Sequence, residues 1–180
     1  MKQIRRILCP TDFSEASLEA VKAANDLAQQ FPARLTLAHV VQPLTPLADV
    51  EMMRSFDVRL YEDQLRKGME NKLADLAWKM IAKTVDTRTK TLCSEDPAGM
   101  ICELAESEDT DLIVIATHGM TGWRHYVHGS VAQKVVQRTQ RPVLLIHGRP
   151  ANGGASAGTA GAAVEVPAGN PGPLSVGVMP

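Results

Sequence analysis

The sequence predicts an α/β fold: an open, five-stranded parallel sheet with helices on both faces. Three observations predict it. Short apolar runs alternate along the chain with longer segments of helical spacing, which implies right-handed βαβ units. The run Leu112-Ile113-Val114-Ile115-Ala116 is rich in β-branched residues and too short for a helix, so it reads as a strand buried on both faces. A segment carrying Gly119, Gly122 and Gly129 follows that strand, and Ser130 then opens the helical pattern of Val131-Ala132-Gln133-Lys134-Val135-Val136.

Ile4 to Leu8 reads as the first strand, closed by Cys9-Pro10-Thr11-Asp12. Ser14 is an N-cap with Glu15 in the first turn, and Ala16, Ala20, Ala23, Ala24, Leu27 and Ala28 recur at helical spacing until Phe31-Pro32. Ala33 to Val41 is the second strand, ended by Pro43 and Pro46. From Leu44 to Asp57 no clean period is present, and an irregular excursion is expected. A long helix is expected from Val58 to Lys83, with Leu65, Met69, Leu73, Leu76, Met80 and Ile81 as its buried stripe. Thr87 to Leu92 is a third strand. Asp96-Pro97 pairs an N-cap with proline at the first helical position, starting a short helix through Met100, Ile101, Leu104 and Ala105. The last helix is expected to end near Gln140-Arg141, before a fifth strand from Pro142 to His147.

Composition bounds the function. A chain of 180 residues that is 44% hydrophobic can bury a sizeable core. A formal net charge of −1 gives no electrostatic case for nucleic acid or an anionic membrane. No apolar run approaches the roughly 20 residues of a membrane span, and the apolar run before Pro10 is too short for a secretory signal, so a cytoplasmic location is expected. Cys9, Cys93 and Cys102 are scattered and read as reduced thiols. The Ala/Gly/Pro-rich composition of the end of the chain divides it into a domain over residues 1–148 and a disordered tail over 149–180.

Parallel sheets bind ligands outside the carboxyl ends of their strands, where strand order reverses. Two loops lie at such ends: Pro10-Thr11-Asp12 after the first strand and His118-Gly119 after the fourth. Glycines that let backbone approach a ligand, followed by a hydroxyl residue at a helix start, suit a phosphate. Neither GxxxxGK[ST] nor GxGxxG after the first strand is present, which disfavours a P-loop ATPase or a dinucleotide dehydrogenase. His118, His125 and His128 crowd the fourth-strand loop, but no metal-ligand spacing joins them, and no metal is expected. Asp12 suits ribose hydroxyls, or equally a turn or cap before the first helix. Ser130 suits a phosphate, or a plain N-cap.

Four pieces together resemble the universal stress protein family. They are CPTDFSEAS after the first strand, LAHV in the second, RPVLLI in the fifth, and a segment similar to the family signature G-x-x-G, nine residues, G-S. The last reads Ala116-Thr117-His118-Gly119, nine residues, then Gly129-Ser130. The resemblance covers residues 1–148 and implies an open Rossmann-like sheet of strand order 3-2-1-4-5, in a homodimer paired through the last strand. It implies that Pro10, Thr11, Asp12 and Val40 hold adenine and ribose, and that Gly119, Gly129, Ser130 and Val131 hold phosphates, with Ala116 and His118 in the same signature. Ala116 replaces the signature's first glycine. Its methyl either crowds a ribose or phosphate, or is harmless if it points away. The expected function is ATP binding, with Mg²⁺, by a stress-response module that signals through occupancy, with at most slow hydrolysis. The alternative is a dimeric stress protein that binds no nucleotide and acts through protein partners. A ligase-type adenylyl transferase would need a second substrate domain, for which the chain has no room.

Overall fold

The structure, a computed structural model, describes residues 3–43, 58–117 and 131–147. The expected excursion from Leu44 to Asp57 and the tail over 149–180 lie outside them. Nine elements follow in order: β1 (Arg6–Pro10), α1 (Glu15–Gln30), β2 (Arg34–Val41), α2 (Val58–Met80), β3 (Thr87–Cys93), α3 (Pro97–Ser107), β4 (Leu112–Ala116), α4 (Val131–Arg138) and β5 (Val143–Ile146). The five strands form one sheet in the order β3-β2-β1-β4-β5, the order that the family resemblance implies. Every neighbouring pair is parallel.

Several boundaries differ from expectation, and those of β1, α2 and α4 do so for local reasons. β1 runs two residues later than Ile4 to Leu8. The carboxylate of Asp111 accepts the amides of Arg5 and Arg6 at 2.9 and 3.0 Å, so strand pairing begins only at Arg6↔Arg34. At its other end β1 includes Pro10, which pairs with Ala38 of β2. α2 stops at Met80 rather than Lys83, because the side-chain oxygen of Asn25 in α1 accepts the Ala82 amide at 2.8 Å. α4 stops at Arg138, and the Thr139 hydroxyl then accepts the Arg141 amide at 3.1 Å.

Alternation along the strands builds a core on each face of the sheet. Ile7, Cys9, Leu35, Leu37 and Val114 pack against α1 and α2. Leu8, Ala38, Ile113 and Ile115 pack against α3 and α4. α1 meets the sheet through Ala20, Ala24 and Ala28, whose small side chains let the helix lie close. Fully burying one Leu, Ile or Val is worth about 1.5–3 kcal/mol, so these strands hold the domain together.

α2 is unevenly seated. Leu73 is fully buried, Ile81 beyond the helix is nearly so, and Leu76 and Met80 pack against the same cluster. Leu65 and Met69, expected in the stripe, are only half-buried, and Leu60 and Tyr61 are exposed. Leu73→Ala should therefore cost about 2–5 kcal/mol, whereas Leu65→Ala should cost less than about 1 kcal/mol. Urea unfolding followed by circular dichroism measures both; equal losses would contradict the burial pattern.

Candidate functional site

The strand order reverses between β1 and β4, and there the sheet opens. β1 pairs with β2 along its whole length, to Pro10↔Ala38, but its register with β4 stops at Leu8↔Ile113. The cause lies in Pro10. In a parallel ladder a residue directs its N–H and C=O to one neighbour, and the next residue directs them to the other. The Arg6 carbonyl accepts from Asp111 on the β4 side, and the Thr11 amide donates to Ala38 on the β2 side, at 2.9 and 2.8 Å. Pro10 shares the parity of Arg6, so the donor it lacks is one that would have bonded β4. The two strands end beside each other without a ladder between their tips.

The turn from β1 into α1 lines one side of this crevice. All the polar groups of Thr11 are engaged within the protein. Its amide donates to Ala38, and its carbonyl lies 2.8 Å from Nδ1 of His39. Its hydroxyl accepts the Phe13 amide at 3.0 Å and lies 2.9 Å from the hydroxyl of Ser17. Because Ser17 Oγ donates to the Ser14 carbonyl, Thr11 is the donor to Ser17. Thr11 is thus the frame of the turn. Asp12 sits at the tip, half-buried, and its Oδ1 accepts the Ser14 amide at 3.0 Å and the Ser14 hydroxyl at 2.5 Å. Ser14 is the N-cap of α1, as expected, and accepts the Ser17 amide at 3.2 Å.

Phe13 closes the turn with φ 63°, a left-handed conformation that costs an aromatic residue roughly 1–2 kcal/mol. Its ring packs on that of His39, with centroids 4.7 Å apart, and the Lys72 ammonium of α2 lies 4.2 Å from the ring centroid. The sequence reading missed these roles. His39 enters the sequence reading only as part of LAHV, and among the described residues no group of side chains is arranged to hold a metal. No sequence signal marks the φ of Phe13, since glycine or asparagine would be expected there.

The remaining candidate residues divide. Val40 is the penultimate residue of β2, on the α3 face and partnered by Leu92. Ala116 ends β4 beside Ile146, and it belongs to the core cluster under α1 with only 9% of its surface exposed. Its methyl is therefore packed inward. Val131 is the first residue of α4 and is exposed. His118, Gly119, Gly129 and Ser130 lie outside the described residues, as do Trp123, Arg124, His125, Tyr126 and His128.

A cavity of about 380 Å³ occurs at the opposite, amino end of the sheet, lined by Arg5, Arg6, Arg34, Ala33, Val85 and Asp86. Helix carboxyl termini gather at that end and favour cations. Arg6 accordingly donates to the Glu108 carbonyl at the end of α3, and Arg34 pairs with Asp86.

The model of the universal stress protein family matches residues 3–147. The chain belongs to that family. A universal stress protein of Methanocaldococcus jannaschii is 33% identical over 143 residues, spanning 79% of this chain and 81% of the relative. The universal stress protein YxiE of Bacillus subtilis is 27% identical over 145 residues, spanning 78% and 97%. Among solved structures, a universal stress protein family member from Burkholderia pseudomallei superposes with a TM-score of 0.63 at 25% identity, over 81% of this chain and 98% of that one. A universal stress protein in complex with cAMP superposes with a TM-score of 0.60 at 22% identity, over 82% and 100%, a likeness of fold.

The thiols are unpaired among the described residues. Burial pushes the Cys9 thiol up to about 12, so its thiolate is scarce at neutral pH. Cys93 at the end of β3 is exposed. At pH 8 a disulfide reagent should label Cys93 first and Cys9 only after denaturation. Rapid labelling of Cys9 in the native protein, read by peptide mass spectrometry, would contradict this placement.

Proposed function

We propose that this universal stress protein binds an adenine nucleotide, ATP with Mg²⁺, in the crevice between β1 and β4, and signals by occupancy with at most slow hydrolysis. The observation that carries the reading is the ladder that stops at Leu8↔Ile113 because Pro10 has no donor for β4. It leaves an opening at the topological switch point, where ligands of such sheets bind. Asp12 stands at its rim on a turn held by internal hydrogen bonds, suited to ribose hydroxyls. The helices α1 and α4 begin at the same end and offer their positive termini to phosphates, and the glycine-containing segment 118–130 connects β4 to α4. A fold neighbour in complex with cAMP is consistent with adenine-nucleotide chemistry at this site. Mg²⁺ would arrive on the phosphates and neutralise their charge.

We further propose a cytoplasmic homodimer formed through β5. This last strand pairs with β4 on one edge and carries the exposed Leu144 and Leu145. The alternative, a dimer that binds no nucleotide, drew on the methyl of Ala116. That methyl belongs to the α1-side core, so it gives the alternative no support.

Calorimetric titration with MgATP tests the reading. Binding should be measurable and should raise the melting temperature by mass action. Asp12→Ala should weaken it at least about tenfold, equivalent to 1.4 kcal/mol, and Gly129→Val should abolish it with the fold intact. Pro10→Ala, which restores the missing donor, should also weaken it. Absence of both heat and thermal stabilisation at millimolar ATP would overturn the proposal.

A further inference from the structure

We infer that His39 is a positioning residue for the nucleotide crevice, holding the strained β1–α1 turn in the form that presents Asp12. The inference rests on the proposed nucleotide site and adds to it a residue that the reading of the crevice did not use. The Thr11 carbonyl can only accept, so the His39 Nδ1 that lies 2.8 Å from it carries the proton. That bond fixes the ring's tautomer and orientation and leaves Nε2 as the acceptor of the neutral imidazole. The same ring packs on Phe13, with centroids 4.7 Å apart and planes inclined by 48°.

Asp12 is flanked in sequence by these two residues. On one side His39 fixes the carbonyl of Thr11; on the other it braces the ring of Phe13, whose φ of 63° an aromatic residue adopts only when its surroundings impose it. Lys72 covers the Phe13 ring from α2. β2 and α2 therefore hold the turn from two directions. The direction of the Asp12 carboxylate depends on this clamp, because its Oδ1 is already committed to the amide and hydroxyl of Ser14. A turn that relaxed at Phe13 would swing the carboxylate and the start of α1 together. His39 lies on the α1–α2 side of β2, the face of Leu35 and Leu37, and reaches the site through the turn rather than by touching the ligand.

The test separates the ring's hydrogen bond from its bulk. His39→Asn keeps a side-chain N–H donor near the place of Nδ1 but loses packing on Phe13. His39→Leu keeps apolar bulk and loses the donor. Each variant is titrated with MgATP and melted, and amide exchange of Phe13 and Ser14 is read by NMR without ligand. The expected result is that His39→Leu weakens ATP binding by tenfold or more and speeds exchange at both amides by a similar factor, while its melting temperature stays closer to the parent's. His39→Asn should keep binding within about threefold of the parent even though its melting temperature falls further. A purely structural histidine would make affinity follow stability in both variants, and that pattern would overturn the inference. So would unchanged exchange and affinity in His39→Leu, or an Nε2-protonated neutral ring by ¹⁵N NMR. If the parent protein itself fails to bind ATP, the nucleotide reading falls, and exchange in His39→Leu alone decides whether His39 holds the turn.

Discussion

Five parallel strands oblige the chain to return to the same end of the sheet after each one, and the connecting helices must run against the strands. All helix dipoles are thereby aligned, positive at the strands' carboxyl ends and negative at their amino ends. The charges of this protein follow that field. Arg6 caps the carbonyl at the end of α3, and Arg141 binds Glu106, Asp109 and the Thr110 carbonyl below the same helix. Lys79 and Arg138 occupy the last turns of α2 and α4. The hydrogen bond from Arg141 holds the Glu106 acid below the usual carboxylate range. Spent on helix ends and acidic partners, these cations have little left for a ligand at the bottom of the sheet, and the opposite end remains the one suited to an anion.

Within that frame the site depends on what β1 cannot do. A strand between two parallel neighbours is normally laddered on both sides. Here the side toward β2 is complete and the side toward β4 fails at its tip, because the residue of the relevant parity is a proline. The opening costs no buried, unpaired amide, since Pro10 has none to leave. The adjacent turn carries the other expense, a left-handed phenylalanine, and offsets it with the hydrogen bonds of Thr11, Asp12 and Ser14 and the packing of His39. Strain and support thus lie within a few residues of each other at the carboxyl end of the first strand.

Much of this was legible in the chain itself. Continuous β-branched runs separated by helical spacing marked the strands in order, and Ser14-Glu15 and Asp96-Pro97 marked two helix starts to the residue. Side-chain caps and φ-restricted prolines act locally, which is why they read well. Asp96 nonetheless gives its carboxylate first to Arg138, a partner far off in sequence. The misplaced boundaries share this origin: Asp111 claims the amides before β1, and Asn25 claims the amide after α2. Asp12 was legible as a polar residue of the turn after the first strand, where the structure places it. The roles of Phe13 and His39 were not, because a positive φ and a contact across 28 positions leave no trace in periodicity.

The uneven seating of α2 has a consequence for how the molecule comes apart. Its carboxyl half is anchored by Leu73, whereas its amino half carries Arg66 and Lys67 on a surface that buries little. Fraying of those first turns exposes almost no core, so its free energy is far below that of global unfolding. Among the described residues, nicking by a protease that cuts after basic residues would begin there while the sheet stayed intact, leaving a clipped but still folded domain.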